Sequence, residues 1–166
     1  MELFLMRHAD ATETRGNDFA RVLSEKGKQQ SRAMGGWLRE MRLFPMRVVF
    51  SPYPRAQETA DLVIEELGGG STAQPDERLA PGMQPDAGCE IIHELGGKND
   101  RLCLVGHAPD LGRLASYLIG AKDAGIEMRK GAIAALETAR TGFGGSTLQW
   151  LMHPKMLLDV EYTGTA

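Results

Sequence analysis

Short apolar runs alternate with helix-like segments along this chain, and this alternation limits the folds it can adopt. The runs have the length of buried strands rather than of helices. They occupy residues 3–6, 46–50, 102–105, 132–138 and 147–152. Strands separated by helices pair in parallel, because the connecting segment must carry the chain back before the next strand begins. The sequence therefore predicts an α/β fold built on a mostly parallel sheet.

Capping residues mark the starts, and stop signals the ends, of four predicted helices between these runs. The predicted helices run from Ser24 to about Arg42, from Pro54 to Leu67, from Pro85 to Leu95 and from Pro109 to Ile119. We predict a loop over 68–75, where three glycines begin the segment. We also predict a hairpin turn over 141–145, between the last two runs.

Length and charge narrow the functional classes. The 166 residues are enough for one domain, 1–166, with a sizeable core. A net charge of −3 does not indicate a nucleic-acid or membrane binder. No run approaches the roughly 18 apolar residues of a membrane span, and the N-terminal run, which stops at Arg7, is too short for a signal peptide. With Cys89 and Cys103 typical of a reducing compartment, we expect a cytoplasmic protein.

Charged and titratable side chains follow three of the predicted strands. Arg7 and His8 end the first strand, Arg55 lies in the first turn of the helix after the second, and His107 follows the third. Because the carboxyl ends of parallel strands meet at one edge of a sheet, we expect these four side chains to converge. Guanidinium groups and helix N-termini both favour a dianionic oxygen cluster, so the pattern indicates a phosphoryl-binding site.

Each candidate also has a plainer interpretation. A histidine after a strand is often a hydrogen-bonded structural group, and Arg55 has Glu58 within pairing distance along its helix. However, a cation in a first helical turn opposes the helix dipole, which indicates that Arg55 serves another purpose. Asp10 either orients His8 or its neighbours, or caps the turn after the strand. The pattern of three strand ends is more specific than any single member.

These residues resemble the histidine phosphatase superfamily, also called phosphoglycerate-mutase-like. The family signature Arg-His-Gly stands here as Arg7-His8-Ala9, and the motif Ser-Pro-x-x-Arg-Ala-x-x-Thr-Ala matches Ser51–Ala60 throughout. A Val-x-His motif is present as Val105-Gly106-His107, and residues 23–30 look like the first helix of the family. The resemblance extends from residue 2 to about residue 120. The short length, the Arg-His-x-Asp-Ala form and the C-terminal layout are most similar to SixA-type phosphohistidine phosphatases.

The resemblance implies a three-layer α/β/α fold of the phosphoglycerate-mutase-like type and a role for each matching residue. His8 would attack phosphorus and carry the phosphoryl group, while Arg7, Arg55 and His107 would hold its oxygens. That assignment agrees with the chemistry, since phosphoryl transfer needs mainly positioning and charge neutralisation. Phosphate would be the product, and no metal ion or other cofactor would be required.

Two departures from the family pattern bear on the substrate. Ala9 replaces a glycine and adds a methyl group to a tight site. Many members protonate an alcohol leaving group with a glutamate that follows an Arg-Leu pair. Here Pro81 stands about where that glutamate is expected after Arg78-Leu79, which leaves Glu77 and Asp86 as candidate acids. A site without a strong acid favours phosphohistidine, whose imidazole leaves readily, over phosphoserine.

Three functions follow from these observations. The leading hypothesis is a phosphatase for phosphohistidine in a protein. The first alternative is a phosphatase for a small phosphorylated molecule, which requires a working acid near Glu77 or Asp86. The second is a non-catalytic module that binds phosphate or a phosphoprotein, although binding alone would not need the nucleophile His8.

Overall fold

The computed structural model describes residues 1–14, 16–98, 100–122 and 124–158. Its strands are β1 (Glu2–Arg7), β2 (Arg47–Phe50), β3 (Thr72–Pro75), β4 (Arg101–Gly106), β5 (Ile133–Thr138) and β6 (Ser146–Met152). Its helices are α1 (Glu25–Glu40), α2 (Pro54–Leu67), α3 (Pro85–Leu95), α4 (Asp110–Leu118) and α5 (Lys155–Leu158), with a 3₁₀ turn at Glu77–Leu79. Residues 159–166, the end of the expected domain, lie outside the described residues.

The six strands form one mixed sheet in the order β3-β2-β4-β1-β5-β6. The first four of these are parallel to one another, as the alternation of strands and helices predicts. β5 runs antiparallel to β1, and β6 runs antiparallel to β5. The last two strands follow each other without a helix, which confirms the predicted hairpin and explains why this side of the sheet is antiparallel.

Helices cover both faces of the sheet, which confirms the three-layer arrangement. α1 and α2 pack on one face and α3 and α4 on the other, each pair over its own apolar core. Side chains alternate along a strand, so β1 serves both cores. Leu3 and Leu5 face α3 and α4, whereas Phe4 and Met6 face α1 and α2. Because both faces of β1 are buried, its sequence is a continuous apolar run.

The predicted helix boundaries agree with the structure to within two residues. The Ser24 hydroxyl caps α1 by accepting from the Gly27 amide at 3.1 Å. Proline opens both α2 and α3, where its missing N–H is not needed. Gly68 ends α2 with a φ of 61°, a left-handed conformation that suits glycine. Within the described residues, the helices are too short or too polar to span a membrane.

One sequence prediction of structure was wrong. Of the segment 68–75 predicted as a loop, Thr72–Pro75 forms β3 at the edge of the sheet and pairs in parallel with β2. All four of its residues are exposed, so no apolar alternation marks it as a strand. Pro75 is tolerated there because an edge strand does not need every amide to donate within the sheet.

Candidate active site

The backbone of His8 is held by the strands on both sides of β1. Its amide donates to the Gly106 carbonyl at the end of β4, at 2.9 Å, and its carbonyl accepts from the Gly131 amide at 3.1 Å. Arg7 is bonded in the same way, because its amide donates to the Ala132 carbonyl at 3.0 Å. The end of β1 is therefore fixed between β4 and β5.

The side chain of His8 is buried and presents one ring nitrogen as an acceptor. Nδ1 lies 2.8 Å from the Ala9 carbonyl oxygen, and the Arg55 Nε–H donates to Nε2 at 3.2 Å. A carbonyl only accepts, so Nδ1 carries the proton and Nε2 carries the lone pair. Burial, aided by the charges of Arg55 and Arg7, lowers the pKa of His8 from 6.5 to about 4. His8 is thus a neutral nitrogen base at pH 7.

Arg55 lies near the start of α2, yet only 4% of its surface is exposed. Besides contacting His8, its Nη1 donates to the Asp18 carbonyl at 2.7 Å and its Nη2 to the Asp18 carboxylate at 2.9 Å. Glu58 does not take the plainer role of pairing with Arg55, because its carboxylate accepts from the Leu23 amide at 2.7 Å. The guanidinium therefore points into the site, as the opposed helix dipole indicates.

His107 follows β4 and lies beside His8, with 5.2 Å between the two ring centroids. Its Nε2 is 2.8 Å from the Ser51 hydroxyl, and Arg55 Nη2 approaches its Nδ1 at 3.5 Å. An arginine only donates, so Nε2 carries the proton that is shared with Ser51. Burial, with His8 and Arg55 nearby, lowers the pKa of His107 to about 3. Both histidines are neutral at pH 7.

Arg7 completes the group with N–H donors that remain available. Its Nη1 donates to the Met128 carbonyl at 3.0 Å, while its buried Nε has no hydrogen-bond partner. Burial lowers the pKa of Arg7 from 12.5, although the guanidinium stays charged at pH 7. A buried donor without an acceptor is costly, and an oxyanion bound beside His8 would supply one.

The structure thus brings Arg7, His8, Arg55 and His107 together at the carboxyl edge of the sheet. A cavity of about 680 Å³ adjoins Arg7, with walls from the start of α3, one face of α4 and residues 121, 122 and 124–128. Two positive charges and a neutral nucleophile are what transfer of a phosphoryl dianion requires.

Asp10, the fifth candidate, lies near the site but points away from His8. Its carboxylate accepts from Lys130 Nζ at 2.6 Å and from the Ser24 hydroxyl at 2.6 Å. Partial burial on its own raises the pKa of Asp10, but these two hydrogen bonds hold it below 3.8. Asp10 thus ties the end of β1 to the start of α1 and to Lys130. Among the described hydrogen bonds its carboxylate contacts neither His8 nor a backbone amide, so neither the orienting role nor the turn cap is observed.

The two candidate acids, Glu77 and Asp86, are not brought into the group. Both side chains are exposed, and neither lines the cavity beside Arg7. Among the described hydrogen bonds, none joins either carboxylate to Arg7, His8, Arg55 or His107. Of the residues that do line the cavity, Glu127 carries the carboxyl group.

Ala9 fits where the family pattern has glycine. The residue is fully buried, and its amide donates to the Thr59 hydroxyl at 3.1 Å. Thr59 in turn donates to the Arg55 carbonyl at 2.7 Å, so the same hydroxyl links the end of β1 to the first turn of α2. The added methyl group is therefore accommodated in the packing around His8.

Sequence reasoning missed two residues of the site, Asp18 and Ser51. Ser51 stands in the motif that marks Arg55, and its place at the end of β2 was the available signal. Asp18 lies in a polar segment without periodicity, so nothing in its spacing associates it with Arg55. Within the described residues, no group of three or more His, Cys, Asp or Glu side chains is arranged to hold a metal ion.

Comparison with known proteins gives the class to which this site belongs. A family model, "Histidine phosphatase superfamily (branch 1)", matches residues 3–81. The phosphohistidine phosphatase SixA of Escherichia coli (strain K12) is 28% identical over 159 residues, which cover 93% of this chain and 94% of the relative. An uncharacterized protein of Picosynechococcus sp. is 30% identical over 166 residues, which cover 95% of this chain and 99% of the relative.

The fold agrees with these sequence relatives. A solved structure of the protein histidine phosphatase SixA, in complex with tungstate, superposes with a TM-score of 0.85 at 28% identity. The match covers 95% of this chain and 99% of that one. The chain therefore belongs to the histidine phosphatase superfamily. Within that superfamily it is of the SixA type, the group to which it is similar over nearly its whole length.

Proposed function

We propose that this chain is a phosphatase that takes a phosphoryl group from a phosphohistidine in a protein and releases it as inorganic phosphate. The observation that carries the proposal is the state of His8. Its Nε2 is unprotonated and buried beside two arginines, because Nδ1–H donates to the Ala9 carbonyl. A neutral imidazole nitrogen in that position is a competent nucleophile toward phosphorus.

The reaction needs two displacements at phosphorus. In the first, the lone pair of His8 Nε2 forms a bond to phosphorus, and the P–N bond to the substrate imidazole breaks. In the second, a water oxygen forms a bond to phosphorus, the P–N bond to His8 breaks with its electron pair returning to Nε2, and the proton of the attacking water passes to solvent. Arg7 and Arg55 neutralise the charge of the phosphoryl oxygens in both steps. A dianion beside His107 favours its protonated form, from which Nδ1 donates to an oxygen.

The positions of the acids support phosphohistidine as the substrate. An alkoxide leaving group needs a proton donor, whereas an imidazole leaves readily once its other ring nitrogen is protonated. The candidate acids Glu77 and Asp86 are exposed and lie outside the cavity. The similarity to SixA of Escherichia coli, a phosphohistidine phosphatase, supports the same substrate class.

The test is phosphate release from three matched substrates: a phosphohistidine-bearing protein, a phosphoserine-bearing protein and a small phosphoester. We expect fast release from phosphohistidine alone, its complete loss in His8→Ala, and an acid-labile phosphoenzyme in the wild type. Activity retained in His8→Ala would overturn the mechanism. Tight binding of phosphate or tungstate without any phosphoenzyme would instead support the non-catalytic module.

A second candidate function, hydrolysis of a small phosphomonoester, is favoured by the cavity beside Arg7. Its volume of about 680 Å³ lies within the range of small-molecule sites. That function needs an acid, so phosphoester turnover should fall in Glu127→Gln, Glu77→Gln or Asp86→Asn. If all three variants keep the wild-type ratio of phosphoester to phosphohistidine turnover, the small-molecule function loses its support.

We also propose a cytoplasmic location for this activity. Cys89 and Cys103 are both free thiols, and Cys103 is fully buried in β4. Free thiols are typical of a reducing compartment. Localisation of a tagged full-length chain by fractionation tests this, and recovery in a secreted fraction would contradict it.

A further inference from the structure

We propose that Asp18 is a tethered anion that occupies Arg55 until the phosphoryl group displaces it, and that this exchange sets the affinity of the site for oxyanions. The inference rests on the proposed function, because it assigns Arg55 to the phosphoryl group. Asp18 takes no part in the two displacement steps described above.

Asp18 now takes the Arg55 donors that a phosphoryl group would use. Its carbonyl and carboxylate oxygens accept from Nη1 and Nη2 at 2.7 and 2.9 Å. With the contacts of Nε to His8 and of Nη2 to His107, four of the five guanidinium N–H groups are engaged. One of these acceptors, the Asp18 carboxylate, is an anion that receives a charge-assisted hydrogen bond from Nη2.

The other guanidinium of the site is left open. Within the described residues, the Arg7 side chain donates to the Met128 carbonyl, and its buried Nε is without a partner. The two arginines therefore differ in availability, although both converge on His8. An arriving oxyanion can bind Arg7 directly, but it gains the Nη2 donor of Arg55 only by replacing the Asp18 carboxylate.

The surroundings of Asp18 allow that replacement. Its side chain is 59% exposed, so a released carboxylate returns to water without the cost of burying a charge. Arg21 donates to the other carboxylate oxygen at 3.2 Å and keeps a partner for Asp18 after it leaves Arg55. The segment remains attached beside the site, because the Phe19 ring packs edge-on against Tyr53 at 4.9 Å between centroids.

Because Asp18 is tethered beside Arg55, its exchange with phosphate affects product release. A carboxylate held a few ångströms from Arg55 acts at a high effective concentration, so it competes with phosphate even when phosphate is abundant. The product is then released more readily, and the buried guanidinium is never left without an anion. A dianionic phosphoryl group displaces the carboxylate, whereas a singly charged anion gains less by doing so.

Binding of inorganic phosphate and of tungstate, measured by calorimetry, tests the proposal without any turnover. We expect Asp18→Asn to bind both oxyanions about two- to fivefold more tightly, the size expected for loss of one partly exposed ion pair. Asp18→Glu, which keeps the anion, should stay near the wild type. Glu25→Gln is the matched control, since it removes one charge from an exposed residue that pairs with Lys28.

Steady-state kinetics then distinguish competition of Asp18 for Arg55 from a role in orienting the guanidinium. If Asp18 competes for Arg55, Asp18→Asn lowers KM and strengthens inhibition by phosphate. If Asp18 only orients the guanidinium, Asp18→Asn weakens oxyanion binding and lowers kcat, and the proposal is overturned. Unchanged binding would overturn it as well. Failure of the proposed function is distinguishable, because a wild type that binds tungstate but forms no phosphoenzyme leaves the binding comparison intact.

Discussion

At the scale of single residues, the site holds more positive charge than negative before any ligand arrives. Arg7 and Arg55 remain charged, while His8 and His107 are kept neutral by burial and by those same arginines. Protonating either histidine would add a third positive charge to a buried group. A bound dianion adds negative charge beside His107 and so favours its protonated form. We therefore expect His107 to take up a proton when the dianion binds.

We expect acid pH to destabilise the protein through these histidines. Their folded pKa values, about 4 and about 3, lie below the unfolded value of 6.5, so the unfolded chain binds more protons across this window. Stability is therefore complete above pH 6.5 and is lost as the pH falls toward 4. Each histidine should contribute a loss of about 1 to 2 kcal/mol between pH 7 and pH 5.

Urea unfolding at the two pH values measures this loss. We expect His107→Gln to lower the free energy of unfolding at both pH values. The informative quantity is therefore the difference in that free energy between pH 7 and pH 5, which should be smaller in the variant. The carboxylates with lowered pKa values, such as Asp10, titrate below this window and do not obscure it. An equal pH difference in wild type and variant would contradict the assignment to His107.

Arg55→Lys tests the need for a guanidinium at the start of α2. A lysine keeps the charge but has one nitrogen, so it cannot reach His8 and the phosphoryl oxygens at the same time. We expect kcat/KM for phosphohistidine to fall about 100-fold, with the fold unchanged by circular dichroism. Arg32→Lys, at an exposed arginine paired with Glu65 and Glu66, should leave kcat/KM unchanged. A loss below about threefold in Arg55→Lys would show that charge suffices.

The convergence of four side chains could be predicted from the sequence, because each lies at a strand end or in a motif with fixed spacing. The structure places them together, and their catalytic roles stay a prediction. Arg7, His8 and His107 follow from the apolar runs before them, and Arg55 from its motif after β2. Asp18 was not predictable, since its contact with Arg55 depends on how an irregular segment folds over the sheet edge. Secondary-structure periodicity carries no information about such a segment.

At the scale of elements, α1 and α2 approach each other closely at a glycine. A Cβ placed on Gly35 would lie 2.8 Å from the Val63 carbonyl oxygen and from the Glu66 Cβ. The next residue, Gly36, has no atom within 4 Å of such a Cβ. An alanine at Gly35 therefore tests the packing of α1 against α2, whereas an alanine at Gly36 tests only helix propensity.

We expect Gly35→Ala to destabilise the protein by about 1 to 3 kcal/mol, because α2 must move or strain. Gly36→Ala should stabilise it by about 0.5 to 1 kcal/mol, since alanine favours a helix over glycine. Urea midpoints for both variants measure the difference. If Gly35→Ala were as stable as Gly36→Ala, the close approach of the helices would be wrong.

The elements that could be predicted are those whose packing leaves a pattern in the sequence. α1 to α4 each have an apolar face with a serine or proline at the start, and β1, β2 and β4 are buried on both faces. β3 is exposed along its whole length, and it forms because its backbone pairs with β2. Backbone pairing at an edge does not depend on side-chain type, so β3 left no such pattern.

At the scale of the whole molecule, β4 is an inner strand between β2 and β1, and Cys103 lies at its middle. Burial raises the pKa of the Cys103 thiol to about 12, and none of its surface is exposed. Cys89, on α3, is half-buried, and burial also raises its pKa. A thiol in the core of the sheet reacts only when the sheet opens.

Alkylation of Cys103 should therefore report global unfolding. In a Cys89→Ser background, we expect the rate of iodoacetamide labelling to rise with urea in parallel with the loss of circular dichroism. A Cys103→Ser variant gives the rate for Cys89, which should be faster in native buffer. Fast native labelling of Cys103 would mean that the sheet opens locally around β4.

The pairing of β1 also determines when the nucleophile becomes fixed as the chain is made. β1 pairs with residues 101–106 of β4 and with residues 133–137 of β5. In sequence order His8 precedes both of these strands, so it is synthesised before either of its neighbours exists. The site around His8 can be ordered only after β4 and β5 have been added, so chains interrupted before β5 cannot form it.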